Sequence, residues 1–192
     1  MGNSVKMKKI YKLKSDMENF CLFIEEYPKT EETIVDKIMD QQWKSFYSNE
    51  KPVVLKQCRS DTGKKNFQFD FSSMLSPFFV FSETAINALE DILLPRGQVL
   101  PVITESKKKK FLGYYPTNPL SGCFDKEKSK YREAERGLIV ERPVLIAKNI
   151  SDEYLFSIEE SIRWVFVTDK FKQRVEEAGL LAFDFSWEIP TS

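Results

Sequence analysis

The sequence predicts an α+β fold: a mostly antiparallel or mixed sheet with about three helices packed on it. Two observations lead there. Short runs with a period of two place apolar side chains on one face and polar ones on the other, as in a sheet with one wet face. Runs with a period near 3.6 fall between groups of strands rather than after every strand, which disfavours a doubly wound parallel sheet.

In chain order, Thr30 is the expected cap of a first helix, with Glu31 and Glu32 at the positive end of its dipole and an apolar stripe of Ile34, Ile38, Trp43 and Phe46. Residues 52–56 are a weaker strand candidate. Phe67, Phe69 and Phe71 alternate with Gln68 and Asp70, which sets three rings on one sheet face. The apolar run 77–81 reads as a buried strand. Ser82 then caps a second helix whose Ile86, Leu89 and Leu93 share a face, before Pro95 and Gly97 stop it. Residues 99–103, 138–140, 144–147 and 164–167 are further short strands, the last three expected to be buried. Thr168 caps a third helix carrying Phe171, Val175 and Ala178 on one face, with Gly179 placed to end it in a left-handed conformation. Phe183, Phe185, Trp187 and Ile189 then alternate with Asp184, Ser186 and Glu188 as a final strand. Phe79-Val80-Phe81-Ser82-Glu83 parallels Phe166-Val167-Thr168-Asp169, and the common need of strand-to-helix turns for a hydroxyl cap and an acid accounts for it without a duplication.

The chain has 192 residues and 16 phenylalanines, with 42% hydrophobic residues. That is enough for one globular domain over 1–192, or two packed parts, 1–77 and 78–192. Histidine is absent, which removes His-dependent nucleophiles, His general bases and nearly every zinc or iron site. Cysteines stand only at 21, 58 and 123, without C-x-x-C spacing, so neither a thiolate cage nor a disulfide framework is expected. No metal and no cofactor is therefore expected. With no long apolar run, no signal peptide, and Lys6 where a myristoylation motif wants Ser or Thr, the expected location is cytoplasmic.

The 29 basic and 29 acidic residues sum to zero. The sum hides an asymmetry: residues 1–14 hold Lys6, Lys8, Lys9, Lys12 and Lys14 with no acid, and residues 175–192 hold Glu176, Glu177, Asp184 and Glu188 with no base. Phosphate loops are missing, since Asp61-Thr62-Gly63-Lys64-Lys65 lacks the first glycine and the final hydroxyl, and no G-x-G-x-x-G occurs. Lys107, Lys108, Lys109 and Lys110 precede Phe111, Tyr114 and Tyr115, a pattern that suits single-stranded nucleic acid but equally a solvated hairpin tip beside core aromatics. Asp125 and Glu127, followed by Ser129, would share a strand face as an acid/base or metal-holding pair for a hydrolase; in a turn, Asp125 would cap instead, and the interleaved Lys126, Lys128 and Lys130 favour that. Ser106 and Lys109 have Ser-x-x-Lys spacing but nothing to form an oxyanion hole. Trp43, Trp164 and Trp187 all fall on apolar faces and are expected in the core.

The segment Val165-Phe166-Val167-Thr168-Asp169-Lys170-Phe171-Lys172, continued by Val175-Glu176-Glu177-Ala178-Gly179-Leu180-Leu181-Ala182-Phe183-Asp184-Phe185, resembles the closing block of a family of bacterial immunity proteins encoded beside polymorphic or contact-delivered toxins. Phe79 through Glu83, leading into Val99-Leu100-Pro101-Val102, is similar to that family's earlier block. Gly113-Tyr114-Tyr115 and Asp125-Lys126-Glu127-Lys128-Ser129 resemble its Tyr-Tyr and Asp-x-x-x-Ser features. The likeness spans about residues 78–186; residues 1–77 have no counterpart, and Ala182 stands where the family usually has glycine. The resemblance implies a non-enzymatic role in bacterial competition, a protein–protein interaction with a cognate toxin domain. Asp125, Glu127, Ser129, Tyr114, Tyr115, Asp184 and Glu188 are the expected toxin contacts. The acidic C-terminal region would suit a basic toxin such as a nuclease.

Overall fold

The computed structural model describes residues 8–26, 32–59 and 65–192. In chain order the elements are β1 (Ile10–Lys12), β2 (Leu22–Glu25), α1 (Ile34–Gln41), β3 (Val53–Cys58), β4 (Phe71–Ser72), β5 (Phe79–Ser82), α2 (Glu83–Ala88), α3 (Glu90–Leu93) and a 3-10 turn Leu94–Arg96. There follow β6 (Gly97–Leu100), β7 (Val102–Ile103), β8 (Phe111–Pro116), β9 (Pro119–Leu120), β10 (Lys130–Ala134), β11 (Gly137–Arg142), β12 (Leu155–Ile158), β13 (Ser161–Thr168) and α4 (Asp169–Glu177). The helices are few and short, and the sheets are mixed: an α+β arrangement.

Strand order is β1-β13-β12-β9 in one sheet, β4-β5-β8-β6 in a second and β2-β3-β7 in a third, with β10-β11 as a separate hairpin. Pairing is antiparallel except between β12 and β9 and between β3 and β7. The first 77 residues contribute strands to sheets completed from beyond residue 77, since β1 pairs with β13, β3 with β7 and β4 with β5.

Strands covered on both faces form the centre. In β5, Phe79 and Phe81 enter one cluster with Leu89, Leu93, Tyr114, Phe171 and Val175, while the alternate Val80, preceded by Phe78, enters another with Phe23, Ile38, Leu55, Phe111 and Tyr115. In β13, Val165 and Val167 face the first cluster and Trp164 and Phe166 a third, with Ile10, Phe124, Leu145 and Phe156. Two buried faces explain why 77–81 and 164–167 read as unbroken apolar runs.

The helices follow their caps. The expected Thr30 cap lies outside the described residues; the observed one is Thr33, whose hydroxyl accepts from the Asp36 N–H at 3.1 Å while the Asp36 carboxylate accepts from the Thr33 N–H. The helix stops at Gln42 and Trp43, both with positive φ (50° and 63°), so Trp43 and Phe46 are not on its stripe. Ser82 caps α2 as expected, accepting from Ala85 N–H at 3.0 Å. That helix breaks at Leu89 (φ −115°, ψ 16°) and resumes as α3. Thr168 occupies the N-cap of α4, but its hydroxyl donates to the Glu153 carbonyl at 2.8 Å rather than capping. Gly179 ends α4 at φ 64°, and Ala182 has φ 77°, a left-handed conformation in which a Cβ costs about 1–2 kcal/mol and glycine costs nothing.

Several strand expectations are corrected. Of Phe67, Phe69 and Phe71 only Phe71 lies in a strand, and Asp70, expected on the polar face, is 7% exposed. Residues 138–140 do lie in a strand, β11, but it is only partly buried: Val140 enters the third cluster and Leu138 packs against it, while Ile139 is exposed. Residues 144–147 make only isolated bridges through Leu145, to Phe124 and Thr191. Residues 183–189 form no regular strand but run along β1 on the side opposite β13. Lys12 N–H donates to Trp187 O (3.0 Å), Asp184 N–H to Lys14 O (3.0 Å) and Ile189 N–H to Ile10 O (2.8 Å). Of the tryptophans, Trp164 is buried, Trp43 half-buried and Trp187 exposed. Among the described residues no helix is long and apolar enough to cross a membrane.

Candidate functional site

Tyr114 and Tyr115 sit in β8 and are both 0% exposed. Tyr114 packs edge-on against Phe81 at 5.7 Å and its hydroxyl donates to Leu93 O at 2.8 Å, so burial raises its pKa well above the usual phenol value. Tyr115 packs on Phe46 at 5.5 Å, and burial pushes its pKa up to about 12. Neither ring offers surface to a partner, which corrects their expected role: the Tyr-Tyr feature is core.

Asp125 serves its own turn. Its Oδ1 accepts from the N–H of Glu127 (3.1 Å) and of Lys128 (3.0 Å). The Ser192 hydroxyl and these N–H groups hold its carboxyl below the usual range. Ser129 is a latch: its hydroxyl accepts from Val144 N–H at 2.8 Å and donates to Val144 O at 3.2 Å, tying the turn before β10 to the chain that leaves β11 at the base of the hairpin. Glu127 is exposed, and its N–H donates to Asp125. Asp125 thus caps its own turn, and no cluster of three or more acids and cysteines positioned for a metal ion occurs among the described residues.

Asp184, half-buried, and Glu188, exposed, lie beside the basic N-terminal strand. Lys14 Nζ lies 3.1 Å from Asp184, and Lys9 Nζ lies 3.9 Å from Glu188. Burial pushes the Asp184 carboxyl up, but the Ser186 hydroxyl and N–H together with Lys14 outweigh it and hold the pKa low. The charge asymmetry of the sequence is therefore partly cancelled in space, because the two ends run side by side. The 107–110 run lies in the connection from β7 to β8, strands of two different sheets: Lys109 reaches Asp70 at 3.1 Å and Lys110 reaches Glu83 at 3.9 Å, while Lys107 and Lys108 are exposed.

Sequence reasoning missed the surface at the base of the β10–β11 hairpin. There a groove of about 510 Å³ is lined by Pro143, Val144, Ile189 and Pro190, by the exposed Trp187, and by Lys128, Lys130, Arg142 and Glu188. The parts lie in three separated stretches of chain, and the alternation that set Trp187 with Phe183, Phe185 and Ile189 pointed it to the core instead. A second groove, about 410 Å³, lies between the end of α1 and the hairpin, lined among others by Met39, Trp43, Ile139 and Arg163.

No protein-family model matches the chain, and no curated protein sequence matches it.

Proposed function

We propose that this chain is a non-catalytic immunity protein that binds and neutralises a toxin encoded beside it. One observation carries the reading: the separated blocks that bear the resemblance meet in a single core. Phe79, Phe81, Leu89 and Leu93 from the first block, Tyr114 from the second, and Val165, Val167, Phe171 and Val175 from the third form one buried cluster, against which Phe183 and Phe185 pack. Phe183 stacks on Phe71 with centroids 4.4 Å apart and planes 3° off parallel. Residues spread over half the chain and alike in order and spacing are thus alike where a fold is built.

That same observation moves the expected contacts. The shared pattern specifies scaffold, namely the Tyr-Tyr core, the Asp125 cap and the Ser129 latch, while toxin specificity belongs to surface residues outside the pattern. A rigid scaffold with a variable, charged exterior is what fast and selective neutralisation needs. The argument for a basic toxin loses its ground once Lys14 and Lys9 oppose Asp184 and Glu188.

Co-expression of the adjacent gene with and without this one tests the reading. We expect growth arrest from the neighbour alone, relief with this chain, and a stoichiometric complex on size exclusion. A harmless neighbour, or arrest that this chain does not relieve, overturns it.

A further inference from the structure

We infer that the groove at the base of the β10–β11 hairpin docks an acidic, extended peptide segment of a partner protein; on the reading above, which this inference deepens, the partner is the toxin. Its lining is apolar, with Pro143, Val144, Ile189 and Pro190 beside Trp187, which remains 43% exposed. Tryptophan and arginine are the side chains that most often anchor interfaces, and here Arg142 borders the same groove as the indole.

Charge decides the occupant. Of the ionised groups on the groove, Lys130 is matched by Glu141 at 2.8 Å and Glu188 faces Lys9 at 3.9 Å. Lys128 and Arg142 have no ion pair among the described residues. A third cation stands behind the indole: Lys12 Nζ lies 4.5 Å from the Trp187 ring and 4.6 Å from the Trp164 ring, held by their π faces and with no carboxylate opposite it. The lining sets three cations, Lys128, Lys130 and Arg142, against one carboxylate, Glu188, a positive excess complementary to carboxylates that flank an apolar side chain, and such a field raises the encounter rate with an acidic segment.

The backbone tells how the segment is read. Val144 N–H is taken by the Ser129 hydroxyl and Leu145 N–H by the Pro190 carbonyl, while Pro143 and Pro190 have no N–H to give. Strand addition is therefore closed at this point, and recognition runs through side chains. Nucleic acid fits less well. Single-strand recognition stacks successive bases on several aromatic faces, whereas Trp187 is the one aromatic ring in this lining.

Calorimetric titration of the full chain tests the inference with defined probes: a blocked peptide of alternating Glu and Leu, its Lys–Leu counterpart, and single-stranded oligo-dT, all at low salt. We expect the Glu–Leu peptide alone to bind, with affinity that falls as salt rises. Lys128→Glu with Arg142→Glu should weaken it by about tenfold or more, as should Trp187→Ala. Lys107→Glu with Lys108→Glu, which makes the same change of net charge in the β7–β8 connection, outside the groove lining, should leave it unaltered. Circular dichroism establishes that each variant is folded, and the neutral pair Lys128→Gln and Arg142→Gln replaces the reversal if it is not. The inference is overturned by no binding of the acidic peptide, by equal binding of both peptides, or by indifference to the groove variants. Preferential binding of oligo-dT, or self-association that the same variants abolish, overturns it too, because the occupant is then nucleic acid or a second copy. With the adjacent gene product, protection that survives the charge reversal undamaged sinks the groove and spares the immunity role; absence of protection by the unmodified chain sinks the immunity role, and the peptide titration still judges the groove.

Discussion

At the scale of single residues, Asp70 ties together more of the molecule than any local rule foresees. The carboxylate accepts from the Ser82 hydroxyl at 2.7 Å, from Leu181 N–H at 2.8 Å and from Lys109 at 3.1 Å. It thereby joins the α2 cap, the residues after α4 and the 107–110 run. Burial pushes its pKa up, but these three donors together outweigh burial and hold the pKa below the usual carboxylate value. A carboxyl with a depressed folded pKa contributes stability that is fully present above its unfolded pKa, about 3.9, and is lost as pH falls through the folded value. Asp70→Asn should therefore cost about 2–3 kcal/mol at pH 7, because it removes a charge-assisted network and strands buried donors. The variant's stability should also fall less steeply than that of the wild type below about pH 4. Urea denaturation at pH 7 and at acid pH checks both; equal acid slopes would remove Asp70 as a source of acid sensitivity. The alternation of Phe67, Phe69 and Phe71 did place a polar residue at 70, but no pattern could show that its donors arrive from residues 82, 109 and 181.

At the scale of elements, what was legible was whatever a short window fixes. The Ser82 cap, the α4 stripe of Phe171 and Val175, and the Gly179 stop depend on i+3 and i+4 neighbours, and they were readable for that reason. The Thr168 hydroxyl was misassigned because Glu153, far off in sequence, competes for it. Strand β8 was not anticipated although it is central: Gly113 interrupts its apolar pattern. The glycine is there because β8 is covered on both faces. A Cβ at Gly113 would lie 2.4 Å from a ring atom of Phe78 and 3.2 Å from Leu100 O. Gly113→Ala should cost about 1–3 kcal/mol through forced displacement of a buried ring, read as a lower urea midpoint with an unchanged m-value. A substitution tolerated without loss would mean that Phe78 moves freely, contrary to its full burial.

At the scale of the whole molecule, the chain closes on itself. Residues 183–189 lie along β1 and residues 190–192 along 145–147, which puts Ile189 into the third core cluster, with Phe183 and Phe185 packed on the first. Removal of residues 183–192 should cost more than about 5 kcal/mol, from the buried side chains alone, and lower Tm by more than about 10 °C. By contrast Lys9→Gln with Glu188→Gln, a pair whose side chains are 60% and 53% exposed, should change stability by less than about 1 kcal/mol. Thermal denaturation of both variants decides whether apolar burial or charge pairing holds the C-terminal segment. By itself the sequence determined the α+β class, the helix start at Ser82, the apolar runs of the central strands, and the lack of histidine, because each follows from composition or from a window of a few residues. Only the tertiary structure decided that the basic start and acidic end lie side by side, that Tyr114 and Tyr115 are core while Trp187 is surface, and that Lys128, Lys130 and Arg142 gather around one groove. Those outcomes depend on which distant segments pair, and pairing is settled by the simultaneous burial of three clusters, which no single stretch of chain encodes.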